Sequence, residues 1–267
     1  MDNSQIQQAI DRYDLKGKRT ALMLCTSHPG ADRDVEIMTK LFDDYGVQFD
    51  PPVIDQTAEE MKKVVSEFRD RINRSPEKIS CVFVVTTSHG DCDVIIGADN
   101  NCLPVKDIIE PFGDELCPKM KGKPKVFIID ACRGPEVDPG VLLDSAAKSK
   151  PSKKAQSTRT YRSSRVPPCI NDMLVAYSSM TDYVSLMSDL GSFMIVDIGE
   201  VFHSATEKEH VYDLLVKANE KMVMRTTTFL VEVVKVVMTI ESTLKKLLYL
   251  GCKTATNSKR KDECFLL

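Results

Sequence analysis

Two short stretches of this sequence hold residue types able to break an acyl bond. One is Thr86-Thr87-Ser88-His89-Gly90, the other Asp130-Ala131-Cys132-Arg133-Gly134, and each follows on an apolar, β-branched run. A cysteine thiol is mostly protonated at neutral pH, so attack on a carbonyl needs a histidine or another influence that lowers its pKa. Cys132 is the candidate nucleophile and His89 its acid and base partner. The glycine after His89 permits close backbone approach, which lets the Gly90 and Cys132 N–H groups share an oxyanion. Taken singly, His89 reads as a loop histidine and Cys132 as a buried thiol. Their place on two core strand ends, with flanking glycines, favours the catalytic reading.

That reading requires the preceding runs to be strands of one sheet. Residues 20–25, 81–87, 125–130 and 172–178 are apolar runs of strand length, the second and third of them β-branched. Between them, residues 32–45 carry Val35, Met38, Leu41 and Phe42 at helical spacing, and Gly46 ends the helix. Thr57 and Glu60 form a capping box for a long helix faced by Met61, Val64, Val65, Phe68 and Ile72. Residues 192–202 and 208–224 read as further helices, and 228–238 and 243–250 as strands. Strands alternating with helices predict an α/β fold with a largely parallel, helix-covered sheet. In such sheets ligands collect outside the carboxyl ends of the strands, where both candidates lie.

Composition narrows the class. With 267 residues, 42% of them hydrophobic, the chain suits one sizeable α/β domain. A net charge of −3 argues against a nucleic-acid binder. No run approaches the ~18 apolar residues of a membrane span, and the opening MDNSQIQQAIDRYD lacks a signal-peptide layout, so the expectation is a cytoplasmic protein. The nine cysteines are odd in number, irregularly spaced and without a Cys-x-x-Cys pair, so no zinc site, metal or organic cofactor is expected. Residues 144–165 hold seven Lys or Arg, one acid and almost no large apolar side chain, and read as an exposed linker open to proteases.

The run IIDACRG resembles the Gln-Ala-Cys-Arg-Gly pentapeptide of caspases, and His89 lies 43 residues upstream, close to the spacing in that family. YDLKGKRTALMLC, CVFVVTTSHG, KPKVFIIDACRG, YVSLMSDLGSFMIVDIGEVF and IESTLKKLLYL are similar to caspase segments in the same order. The resemblance implies a caspase-like three-layer sandwich and a thiol endopeptidase acting on peptide or protein substrates. It further implies a large-subunit region over 1–143, the linker over 144–165, a small-subunit region over 166–252 and a tail over 253–267. Maturation would come by cutting the linker, for instance at Asp144-Ser145. A two-fold dimer, with itself or with another caspase, would pair through the strand around 228–238.

The chain departs from the family where caspases recognise a P1 aspartate. His28 falls where one arginine is expected, Met187 replaces a second, with Leu186 at the neighbouring aromatic position, and Asp130 replaces the glutamine of the pentapeptide. Losing one buried charge-paired contact costs about 2–5 kcal/mol, so these changes predict a P1 preference moved from aspartate to a basic or uncharged residue. Alternatively Asp130 binds Arg133 or a backbone N–H and never faces substrate. A second class of reading stays open, in which the chain is a weak or inactive relative acting as a dimerising regulator or decoy. The last four residues, Cys264-Phe265-Leu266-Leu267, fit a C-a-a-X box, and Lys259-Arg260-Lys261 adds a basic patch. They predict prenylation of Cys264 and membrane association.

Overall fold

The protein is described by a computed structural model, which covers residues 11–140, 170–229 and 232–253. The first strand, β1 (Lys18–Cys25), is followed by α1 (Ala31–Asp44), two short strands β2 (Val47–Phe49) and β3 (Val53–Ile54), and α2 (Ala58–Arg74). The capping box at α2 forms as the sequence predicts, with Thr57 accepting from Glu60 N–H and Glu60 accepting from Thr57 N–H. Next come β4 (Ile79–Thr87), a small meander of β5 (Gly90–Asp91), β6 (Val94–Ile96) and β7 (Cys102–Pro104), the short helix α3 (Val105–Ile109), and β8 (Lys125–Asp130). The second half contributes β9 (Met173–Tyr177), a hairpin of β10 (Met187–Ser188) and β11 (Gly191–Ser192), α4 (Phe193–Ser204) and α5 (Val211–Met224). It closes with β12 (Thr227–Phe229), β13 (Glu232–Val234) and β14 (Thr239–Ser242).

Seven strands make the central sheet in the order β14-β9-β8-β4-β1-β2, with β3 also beside β1. All its pairs are parallel except β14 on β9. Side chains alternate between faces as the strand period of two requires. Met23, Phe83, Val85, Val126, Ile128 and Leu174 pack toward α1, α4 and α5. Leu22, Val82, Val84, Phe127 and Ile129 pack toward α2 and α3. Both faces are covered, so every residue of β4 and β8 is buried, each large apolar side chain contributing about 1.5–3 kcal/mol. Among the described residues no helix is long and apolar enough to cross a membrane.

Two expected strands are different. The run 228–238 is not one strand: β12 and β13 pair with each other in a separate two-stranded sheet. The run 243–250 is not a strand of the sheet either. The antiparallel partner of β14 is β9, and Ser242 already faces Leu174 near its start, so the ladder has run out of partner residues. Beyond that point Leu248 and Leu250 drop into the core, and Leu247 bridges to Arg12. Among the described residues, the open edge of the central sheet in this half is therefore β14. The linker, Cys169 and the C-a-a-X box at Cys264 lie outside the described residues. Replacing Thr57 by alanine removes a reciprocal cap and is expected to cost about 1 kcal/mol in urea unfolding; an unchanged midpoint would contradict this.

Candidate active site

Parallel pairing of β4 with β8 sets Thr87 opposite Asp130, and Ser88 N–H donates to Asp130 O at 3.0 Å as both chains leave the sheet. His89 and Cys132 thus stand at equal steps beyond one rung of the ladder. At Gly90 a Cβ would lie 2.7 Å from Cys132 O and 2.8 Å from Ala131 Cβ, so only glycine lets the histidine loop reach the nucleophile's backbone. The residue after the nucleophile is fixed on several sides. Arg133 N–H donates to Tyr183 O at 2.9 Å, its guanidinium donates to Asp93 at 2.8 Å, and its Cζ sits 4.1 Å from the Tyr177 ring centroid.

The thiol is half-buried. Ser185 N–H donates to Cys132 Sγ at 3.3 Å, and the thiol reaches Ser185 O at 3.6 Å. Burial pushes the thiol pKa up from its ordinary 9.0 and the charge of Asp130 adds to this, while the N–H groups of Ser185 and Cys132 oppose it. Cys132 therefore rests as the thiol, not the thiolate. His89 is exposed, and its ring has no hydrogen-bond partner among the described residues. The fold thus brings the two backbones together, and among the described residues the Cys132 sulfur contacts Ser185 and not the His89 ring.

Near the thiol lies a buried cluster of polar side chains, a closed chamber with no open cavity among the described residues. Asp130 is 1% exposed, and its Oδ1 accepts from Ser185 Oγ at 3.0 Å. Arg133 turns to Asp93, so it is not the partner of Asp130. The His28 ring is buried with Nε2 3.7 Å from Asp34 Oδ2, and Asp34 in turn accepts from Ser192 N–H at 2.8 Å and from the Ser192 hydroxyl. Burial, together with Asp130, raises the Asp34 pKa to about 6 against the opposing pull of Ser192 and His28. Asp130 is raised as well, chiefly by burial, with Ser192, Ser178, Ser185 and His28 opposing. Of the residues expected to shape P1 recognition, His28 and Asp130 thus share one chamber. Met187 is half-buried on the hairpin beside it, paired in register with Ser192.

Asp34, Ser178, Ser185 and Ser192 escaped the sequence reading. Asp34 carried a signal, since it lies four residues before Met38 on the buried stripe of α1, where a carboxylate is out of place without a partner. The serines carried none. Gly30 (φ 81°) completes the chamber wall: a Cβ there would meet Ser188 O at 2.1 Å, so the His28 loop packs directly on the β10–β11 hairpin.

The family model for the caspase domain matches residues 18–249. The chain belongs to the caspase family. It is similar to human caspase-14, with 29% identity over 90% of this chain and 96% of that protein. It is also similar to mouse caspase-14, with 30% identity over 90% and 95% of the two chains. The crystal structure of caspase-1 from Spodoptera frugiperda shares the fold with a TM-score of 0.76, covering 92% of this chain and 96% of that one at 21% identity. The three-layer caspase architecture expected from the sequence is thus present.

Two outcomes follow from the site as built. A carboxyl that holds its proton more tightly when folded gives stability that is complete below its unfolded pKa and lost as pH rises through the folded one. For Asp34 that window runs from 3.8 to about 6, worth about 3 kcal/mol. Urea melts are expected to show the native chain losing about that much relative to Asp34→Asn between about pH 4 and pH 7, whereas a constant difference would refute the shift. Gly90→Ala must push the histidine loop off Cys132 and is expected to cost about 1–3 kcal/mol, with no loss in the same melts counting against the contact.

Proposed function

We propose that this caspase-family chain is a cysteine endopeptidase with Cys132 as nucleophile, His89 as acid and base, and a P1 preference moved away from aspartate. The observation that carries the reading is the β4–β8 register, which delivers His89-Gly90 against the backbone of Cys132. In the reaction His89 takes the Sγ proton as the S–C bond forms. The carbonyl becomes an oxyanion facing the N–H groups of Gly90 and Cys132. The imidazolium then protonates the leaving amine as the C–N bond breaks. A water, deprotonated by the same ring, hydrolyses the acyl-enzyme and restores the thiol.

A P1 aspartate would be brought against the buried Asp130 and Asp34 carboxylates, with no guanidinium among the described residues there to receive it. The open edge of β14 supplies the unpaired backbone through which a two-fold partner can extend the sheet. The raised thiol pKa and the unpartnered His89 ring favour a second reading, a dimerising regulator without turnover. Linker-cleaved protein assayed on peptides randomised at P1 separates the two. Cleavage after basic or uncharged residues is expected, abolished in Cys132→Ala and lowered about 10²–10⁴-fold in His89→Asn. Absence of turnover at every P1 from folded dimer would establish the regulator.

A further inference from the structure

The chamber near Cys132 is rich in acceptors and short of donors. Asp130 Oδ2 is buried and accepts no hydrogen bond from the described residues, although the Ser178 and Ser192 hydroxyls lie close enough to act on the carboxyl's pKa. His28 Nδ1 lies 3.0 Å from Pro29 O, which fixes that nitrogen as the N–H donor and makes Nε2 of a neutral ring an acceptor. Nε2 is likewise buried and without a hydrogen-bond partner among the described residues, and Asp34 Oδ2 lies 3.7 Å from it. Two carboxylates and an imidazole thus converge with two unanswered polar atoms between them. Buried polar groups are almost always paired, so such orphans mark the place of something that brings donors. Ser185 shows how near this lies to the chemistry: its N–H reaches Cys132 Sγ at 3.3 Å while its hydroxyl reaches Asp130 at 3.0 Å. One residue therefore touches both the Cys132 sulfur and the Asp130 carboxylate.

An arginine side chain offers five N–H donors, no acceptor and a fixed positive charge, and a lysine offers three donors and a charge. Either satisfies Asp130 Oδ2 and offsets the charge of the two carboxylates. A neutral side chain supplies fewer donors and no charge, and an acidic one adds a like charge. We propose that this chamber is the S1 pocket for a cationic P1 residue, arginine or lysine, with Asp130 Oδ2 as its acceptor and Asp34 as the second negative charge. The proposal rests on the reading of Cys132 as the peptidase nucleophile. For the side chain to enter, the His28 loop and the β10–β11 hairpin, which touch at Gly30, must part.

The test uses the full chain and acyloxymethyl ketone peptides alike except at P1, which is arginine, its neutral isostere citrulline, or aspartate. Each forms an S–C bond to Cys132 as its carboxylate leaves, and intact mass reports the rate. The arginine probe is expected to label Cys132 at least ~10-fold faster than citrulline or aspartate. Because citrulline differs from arginine in charge and not in size, this comparison needs no variant that must fold. In folded Asp130→Asn the arginine-to-citrulline ratio is expected to fall toward one. Equal rates for arginine and citrulline, a faster aspartate probe, or an unchanged ratio in Asp130→Asn would each overturn the pocket while leaving Cys132 as nucleophile. Labelling by iodoacetamide but by none of the three probes would overturn the peptidase reading itself, and the pocket with it.

Discussion

Everything at the candidate site depends on one parallel pairing, that of β4 with β8. Its register places Thr87 beside Asp130, and the two chains then leave the sheet at the same height. From there His89 and Cys132 need no further long-range arrangement to become neighbours, because each stands the same number of residues past the rung. A slip of β8 by one residue would turn Val126 and Ile128 to one face and Phe127 and Ile129 to the other, exchanging their places in the two cores. The register is thus fixed by burial on two faces. The backbone positions of His89 and Cys132, two residues past that rung, are thus set by the packed strands that precede them.

Around that rung the second half of the chain supplies what the first lacks. Ser185 holds the thiol with its N–H and the Asp130 carboxylate with its hydroxyl, and Ser192 anchors Asp34. Parallel pairing of β8 with β9 carries the sheet from one half to the other, so Cys132 and the residues that surround it belong to a single packed body. The same burial that holds Asp130 in place raises the pKa values of Asp130, Asp34 and Cys132. Burial thus favours the protonated forms of the thiol and of both carboxyls.

The strands that carry the chemistry were legible in the sequence because they are continuous apolar runs buried on both faces, as at 125–130, where the expected bounds and the observed ones coincide. The cap of α2 was legible because its residues interact locally. What sequence pattern could not convey was pairing at a distance. β-branched residues between 228 and 238 promise strand character but do not say that β12 turns back on β13, nor that the ladder of β14 ends where β9 begins. At the site, His89, Gly90 and Cys132 declared themselves by type and spacing, and Asp130 by its departure from the family pentapeptide. Asp34 and the serines did not, since a serine looks the same in a sequence whether it faces solvent or holds a buried carboxylate.

The central claim is that the β4–β8 strand ends build a cysteine nucleophile beside a carboxylate-lined pocket. The most direct measurement is a crystal structure of the chain soaked with a peptide aldehyde bearing arginine at P1. The account predicts a thiohemiacetal on Cys132, its oxygen facing the N–H groups of Gly90 and Cys132, and the guanidinium bonded to Asp130 Oδ2. An adduct on Cys132 with the arginine side chain turned to solvent, or His89 remote from the new oxygen, would contradict it.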